Sequence, residues 1–249
     1  MQNPFIWHDL MTGDVEAAMK FYGTVVGWTF EAQMPQYHVA NVGGTGMGGI
    51  METPEHLKGM PPFWAGYIHV GDVDAACAKI KKLGGKVKRE PWDVPNVARM
   101  AVVADPGGTV FNIMQPFPRD AANMLPASAL GAVGWNEAHV GDLDSAWKFY
   151  SEMFGWTKGS VMPMGAMGDY MLYQINGNDA GGMMKKQEML PGPMWLYYFN
   201  VDGIDDAAAR ITKAGGSIAM GPHQVPGGQW IVSAVDPQGG SFQLVSATK

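Results

Sequence analysis

The feature that most constrains this chain is that it is written twice. Trp7-His-Asp-Leu-Met-Thr-Gly-Asp14 returns as Trp135-Asn-Glu-Ala-His-Val-Gly-Asp142, Phe21-Tyr22 as Phe149-Tyr150, and Gly27-Trp28 as Gly155-Trp156, each 128 residues on. Trp64, Gly84-Gly85 and Asp105-Pro106 return as Trp195, Gly215-Gly216 and Asp236-Pro237, each 131 residues on, so a small insertion separates the halves of each copy. A repeat of this period sets the unit that must fold, and it is read before any local pattern. Two domains of ordinary size are expected at 1–117 and 133–249. A linker is expected at 118–132, inside the Pro- and Ala-rich segment Gln115–Gly134.

Each copy divides again into two similar halves. A strand over Ile6–Met11 leads to Asp14, whose side chain suits a helix N-cap. Val15, Ala18, Met19 and Tyr22 then recur at helical spacing. Strands are predicted around Trp28–Glu31, Tyr37–Val42 and Gly49–Met51, with the glycine-rich run Gly43–Gly49 as a flexible turn between the last two. The second half repeats the order. A strand over Gly66–Val70 precedes a helix with Val73, Ala76, Cys77 and Ile80 on one face, and Gly84-Gly85 stops it. Strands follow at Lys86–Lys88, Met100–Ala104 and Val110–Met114, the last two joined by an Asp-Pro-Gly-Gly turn. The downstream copy does the same. The pattern is βαβββ four times, an α+β protein.

Gly13-Asp14…Phe21-Tyr22…Gly27-Trp28, Pro61-Pro62-Phe63-Trp64 with Val73-Asp74-Ala75-Ala76, and Asp105-Pro106-Gly107-Gly108, together with their downstream copies, resemble the vicinal-oxygen-chelate superfamily. That superfamily contains glyoxalase I, bleomycin-resistance proteins and extradiol dioxygenases. The likeness covers nearly the whole chain and is nearest the tandem, two-domain glyoxalase-like branch. It implies four βαβββ modules forming two glyoxalase-like domains, whose mixed sheets curl into ligand-holding cups with helices outside.

The resemblance also implies where metal ligands would stand in the enzymes of the family. Those positions hold Trp7 and Trp135, Ala65 and Leu196, and Asn112 and Gln243, with the remaining one near Ile50–Met51 and Met183–Met184. Indole, methyl and isobutyl groups offer a cation no lone pair, and amides are weak beside carboxylates. No metal ligand and no cofactor is therefore expected. A one-residue slip would bring in His8 or Glu52 but would turn every neighbour to the wrong face.

Strand alternation shows what shares the cup face instead. Trp7, Asp9 and Met11 go together, as do Trp135, Glu137 and His139; Ala65, Tyr67 and His69 share a face of the fifth strand, as do Leu196, Tyr198 and Asn200 in the copy, and Val110, Asn112 and Met114 line up on the last strand, matching Ser241, Gln243 and Val245. Such a mix suits a small, partly apolar molecule oriented by a few polar groups. Asp9, Glu137 and His139 are the candidate catalytic groups. An acid beside Trp is a candidate general base, and Glu137 and His139 lie two apart on one strand face, the spacing of an acid–base pair. Trp7, Trp135, Tyr67, Tyr198, Asn112, Gln243, Met11 and Met114 are the candidate ligand-binding residues. Met11 stands where His139 stands downstream, so the two sites differ. Trp64, Trp195, Tyr22, Tyr150 and Cys77 read as core, while Trp28 and Trp156 stay open between core and rim.

Composition narrows the classes. Apolar residues make up 47% and charged residues 16%, enough for packed cores and contrary to disorder. A net charge of −6 with dispersed Lys and Arg argues against nucleic acid. One cysteine excludes an internal disulfide or thiolate cluster. With no signal-like start or long apolar span, a cytoplasmic protein without a membrane partner is expected, as a monomer with pseudo-dimeric domains or a homodimer. Two readings of function stay open. One is a protein that binds a small organic molecule without metal, with proton transfer by a cup carboxylate. The alternative is a lactoylglutathione-lyase type enzyme or dioxygenase using Ni, Zn, Mn or Fe through non-standard ligands.

Overall fold

A computed structural model describes residues 3–117 and 125–249. The first module is β1 (Phe5–Thr12), α1 (Val15–Val26), β2 (Thr29–Met34), β3 (Tyr37–Val42) and β4 (Thr45–Glu52). The second is β5 (Phe63–His69), α2 (Val73–Lys82), β6 (Lys86–Val94), β7 (Ala98–Ala104) and β8 (Val110–Pro116). The third is β9 (Val133–Val140), α3 (Leu143–Phe154), β10 (Thr157–Pro163), β11 (Asp169–Ile175) and β12 (Asn178–Lys185). The fourth is β13 (Met194–Asn200), α4 (Ile204–Lys213), β14 (Ser217–Gln224), β15 (Trp230–Val235) and β16 (Ser241–Ser246). Four βαβββ modules thus build two eight-stranded sheets, ordered β2-β3-β4-β1-β5-β8-β7-β6 and β10-β11-β12-β9-β13-β16-β15-β14. Both are mixed: β1–β4 and β5–β8 run parallel, while the hairpin neighbours run antiparallel.

Local chemistry explains the helices. Asp14, Asp72 and Asp142 accept from the backbone N–H of Ala17, Ala75 and Ser145 at 2.9, 2.9 and 2.8 Å, satisfying N-terminal donors that the helix cannot. Gly27 and Gly155 close α1 and α3 in the left-handed region, at φ 88° and 70°. The expected face of α2 is the buried one, Val73, Ala76, Cys77 and Ile80. In α1 the buried face is turned toward Ala18, Phe21, Tyr22 and Val25.

Two strands differ from expectation. β6 runs on to Val94 through Pro91, which an edge strand tolerates because no inner ladder bond is lost there. The glycine-rich run is mostly strand: only Gly43 and Gly44, at φ 55° and 83°, make the turn, and β4 begins at Thr45. Close packing accounts for the rest. A Cβ at Gly48 would overlap the His8 carbonyl oxygen, and one at Gly49 the Tyr37 ring.

The chain gathers into two compact units, each drawing on both copies of the repeat. Of the described residues, one comprises 3–6, 66–117 and 136–196; the other comprises 7–65, 125–135 and 197–249. In the first, α2 meets α3, with Lys79 Nζ donating to the Met153 carbonyl at 3.1 Å. Its aromatic core stacks Tyr150 on Trp156 and Trp156 on Tyr173, with centroids 5.5 and 4.2 Å apart. In the second, α1 meets α4, and Tyr22 stacks on Trp28 at 5.6 Å. Contacts of this kind add about 0.5–1.5 kcal/mol each beyond area burial. There Trp64 Nε1 donates to the Tyr22 hydroxyl at 3.2 Å, and that hydroxyl donates to Asp236 Oδ2 at 3.1 Å. Trp28 and Trp156 are both core, donating at 2.8 Å to the carbonyls of Gly131 and Asn3.

Of the expected linker, 118–124 lie outside the described residues. The remainder is tied to the second unit, with Gly131 N–H donating to the Asn200 carbonyl at 2.8 Å. Among the described residues no helix is long and apolar enough to cross a membrane.

Candidate functional site

In the second unit, β1 lies parallel to β4 with Asp9 opposite Gly49, and β3 lies antiparallel to β4 with Val39 opposite the same glycine. Tyr37, two residues before Val39, shares its face. Because Gly49 has no side chain, the Tyr37 ring crosses β4 and its hydroxyl reaches β1. The Tyr37 hydroxyl donates to Asp9 Oδ1 at 2.9 Å, while the Trp7 indole N–H lies 2.9 Å from that oxygen and 2.8 Å from the Tyr37 oxygen. Asp9 is only 5% exposed, so it is not an acid solvated at a rim. Burial first, then the adjacent Asp9, pushes the Tyr37 phenol well above its ordinary ionisation range and keeps it a donor.

The first unit holds the counterpart. Glu137 lies opposite Gly182, and His139 opposite Met184, on parallel β9 and β12; Tyr170 lies opposite Met184 on β11. The Tyr170 ring crosses Gly182 as Tyr37 crosses Gly49, since a Cβ there would overlap it. Its hydroxyl donates to Glu137 Oε2 at 2.8 Å, and Glu137 Oε1 lies 2.9 Å from His139 Nε2. The His139 and Glu137 side chains are 8% and 12% exposed. His139 Nδ1 is buried and has no hydrogen-bond partner among the described residues. The tautomer that fits this geometry carries its proton on Nε2, toward the carboxylate, and leaves Nδ1 as a lone-pair acceptor.

Four groups of the residues expected on the cup face therefore meet within a unit: Trp7 with Asp9, Glu137 with His139, Tyr67 with Asn112, and Tyr198 with Gln243, the last two pairs in register on parallel strands. Tyr67, Asn112, Met114, Tyr198 and Gln243 are buried; Trp7, Met11 and Trp135 are half-buried. Burial lowers the ionisation of His69, which lies opposite Met114. Sequence reasoning missed Tyr37 and Tyr170. The available signal was a third spacing, 133 residues, which relates Tyr37 to Tyr170 and Gly48-Gly49 to Gly181-Gly182.

The residues at the family's ligand positions do not fit a divalent cation. The Trp7 N–H is a donor already turned to Asp9 and Tyr37, and the positions at Ala65 and Leu196 carry no donor atom. His8 faces away from that group, its ring 4.7 Å from the ring of Tyr197. Among the described residues no three His, Cys, Asp or Glu side chains are grouped to hold a metal.

The profile described as Glyoxalase/Bleomycin resistance protein/Dioxygenase superfamily matches residues 5–113 and 133–244. "Putative glyoxylase CFP32" of Mycobacterium bovis is 32% identical over 247 residues, covering 96% of this chain and 93% of that protein. "Anthracycline biosynthesis protein DnrV" of Streptomyces peucetius is 28% identical, covering 96% and 91%. Among solved structures, the Mn(II)-bound glyoxalase of Novosphingobium aromaticivorans has a TM-score of 0.67 at 17% identity, covering 100% of this chain and 82% of that one. The 2,2',3-trihydroxybiphenyl 1,2-dioxygenase of Sphingomonas wittichii has a TM-score of 0.70 at 14% identity, covering 98% and 90%. At such identities these two structures speak to the fold alone. With both segments of the repeat matched and a relative aligned along almost its whole length, the chain belongs to the glyoxalase/bleomycin resistance protein/dioxygenase superfamily.

Proposed function

We propose that this protein binds a small, oxygenated aromatic molecule and moves a proton on it, with His139 as the base. One observation carries the reading: Glu137 Oε1 lies 2.9 Å from His139 Nε2, while His139 Nδ1 is buried without a partner among the described residues. The Glu137 carboxylate, accepting from both Tyr170 and His139, fixes the ring and stabilises the imidazolium that forms. A substrate C–H or O–H proton passes to Nδ1, and the Nε2 proton stays on the Glu137 side. The Asp9 group has Met11 in place of an imidazole, and Tyr37 is held as a donor. Asp9 and Tyr37 therefore orient ligand and do not move protons. An aromatic ligand suits the Trp, Tyr and Met residues of the expected cup face, and the relatives named for anthracycline biosynthesis support that class.

The test is deuterium incorporation from heavy water at the benzylic carbon of 2-tetralone, followed by proton NMR. Wild-type protein should accelerate exchange. His139→Gln and Glu137→Gln should each lose about 10²-fold or more, the usual share of a positioned base. Exchange that is absent in the wild type, or unaltered in both variants, refutes the reading.

A further inference from the structure

At the end of the sheet that carries Tyr170, two loops of the first unit leave methionines in solvent. Met167 closes the short turn Gly165–Met167 between β10 and β11 and is 45% exposed; Met189, between β12 and β13, is 87% exposed. The loop backbones are nonetheless braced. Gln187 Nε2 donates to the carbonyls of Met167 and Lys185 at 3.2 and 2.7 Å, and Lys186 Nζ donates to the Leu190 carbonyl at 3.1 Å. So the loops are fixed against each other while their largest apolar side chains are uncovered. Both are anchored at the site: Met167 precedes Tyr170 by three residues, and Lys186 follows Met184, the residue paired with both Tyr170 and His139, by two.

The Met167 half of the arrangement is repeated. Met34 precedes Tyr37 by three residues, 133 before Met167, and is 47% exposed. An exposed apolar side chain kept at the same offset from the same tyrosine in both copies points to contact with a ligand, whereas singly scattered surface apolars need no explanation. Methionine suits that contact, being unbranched and able to pack its thioether against an aromatic ring.

We infer that Met167 and Met189 form an apolar clamp for the outer rings of a fused-ring ligand whose oxygenated end reaches Tyr170 and His139. The inference rests on the ligand class proposed above. β12 ends at Lys185, one residue after Met184, and Met189 follows four residues later, so the clamp stands beyond the end of the strand that carries Met184. A clamp placed there meets rings beyond the one held at Tyr170 and His139, so it discriminates by ring number and leaves the proton-transfer group untouched.

The experiment titrates the full chain with alizarin, which has three fused rings and adjacent hydroxyls, and with catechol, which has the hydroxyls on one ring. The doubly substituted Met167→Gln/Met189→Gln protein should bind alizarin about tenfold more weakly and catechol as before. Met167→Leu/Met189→Leu should retain most of the alizarin affinity. Unchanged alizarin binding in the glutamine variant, or an equal loss for catechol, overturns the clamp. Wild-type protein that exchanges 2-tetralone but ignores alizarin also overturns the clamp and leaves the base in place. Methionine-dependent alizarin binding without any exchange overturns the base and leaves the clamp.

Discussion

The two Asp-Pro turns are copies of one device, yet substituting their aspartates should have opposite effects. Asp236 is buried with both oxygens engaged: Oδ1 accepts from the backbone N–H of Gln238 and Gly240 at 2.9 Å each, and Oδ2 accepts from the Tyr22 hydroxyl at 3.1 Å. Asp105 is equally buried, but only Oδ1 is engaged by a comparably short bond, from Thr109 N–H at 2.8 Å, and Oδ2 lacks a partner among the described residues. In Asp236→Asn the two backbone donors keep a neutral acceptor, while the amide nitrogen faces a hydroxyl that needs one. A hydrogen bond to a charged group contributes about 1.5–3 kcal/mol, so losing one and weakening two should cost about 2–3 kcal/mol. For a chain of this length that lowers Tm by about 4–12 °C. Asp105→Asn retains the Thr109 bond and removes charge from an oxygen that nothing compensates, so it should be neutral or stabilising by up to ~1 kcal/mol.

The pH dependence gives the second handle. Burial, partly offset by bonds from Thr109, Gly107 and Gly108, raises the Asp105 carboxyl above its usual 3.8. A raised folded-state value means that its stabilising contribution is fully present below 3.8 and is lost as pH climbs through the folded value. The advantage of Asp105→Asn over wild type should therefore grow from acidic to neutral pH and then level off. Denaturant melts and calorimetry at both pH values measure this directly. An Asp105→Asn loss as large as that of Asp236→Asn, or an advantage that shrinks with pH, would refute the reasoning.

Gly182→Ala should push the Tyr170 ring off β12, break its bond to Glu137, and cost about 1–3 kcal/mol, read as a Tm drop with reduced 2-tetralone exchange. Burial, and then Asp236 or Asp9, raises the phenols of Tyr22 and Tyr37 well above 10.0, so their contribution is present below 10.0 and lost as pH rises past it. Stability should fall above that pH more steeply in wild type than in Tyr37→Phe, and phenolate absorbance should develop late in the folded protein.

What could be read from the chain without coordinates depended on how local its cause was. The α2 face was legible because Val73, Ala76, Cys77 and Ile80 obey a spacing within one helix, and the Asp caps act over three residues. The α1 face was partly misread: Phe21 and Val25 fit the same period as Ala18 and Tyr22, and which stripe is buried depends on packing against β4 and α4. Asp9 could be placed with Trp7 on one face of β1, and Glu137 with His139 on one face of β9, by alternation alone. Their tyrosines could not, because Tyr37 meets Asp9 only across a strand whose register is fixed by pairing distant in sequence. Glycine marks that crossing. Gly43–Gly49 looked like a turn because glycine permits turns, yet Gly49 is in a strand for the other reason glycine is used, the close approach of another group. The distinction was available in the repeat. A turn glycine needs a positive φ and no particular companion, whereas Gly49 and Gly182 return at the same 133-residue spacing as the tyrosines that cross them. A glycine that co-repeats with an aromatic residue is evidence of a ring lying over the strand, and following that ring to its hydroxyl leads to the carboxylate it holds.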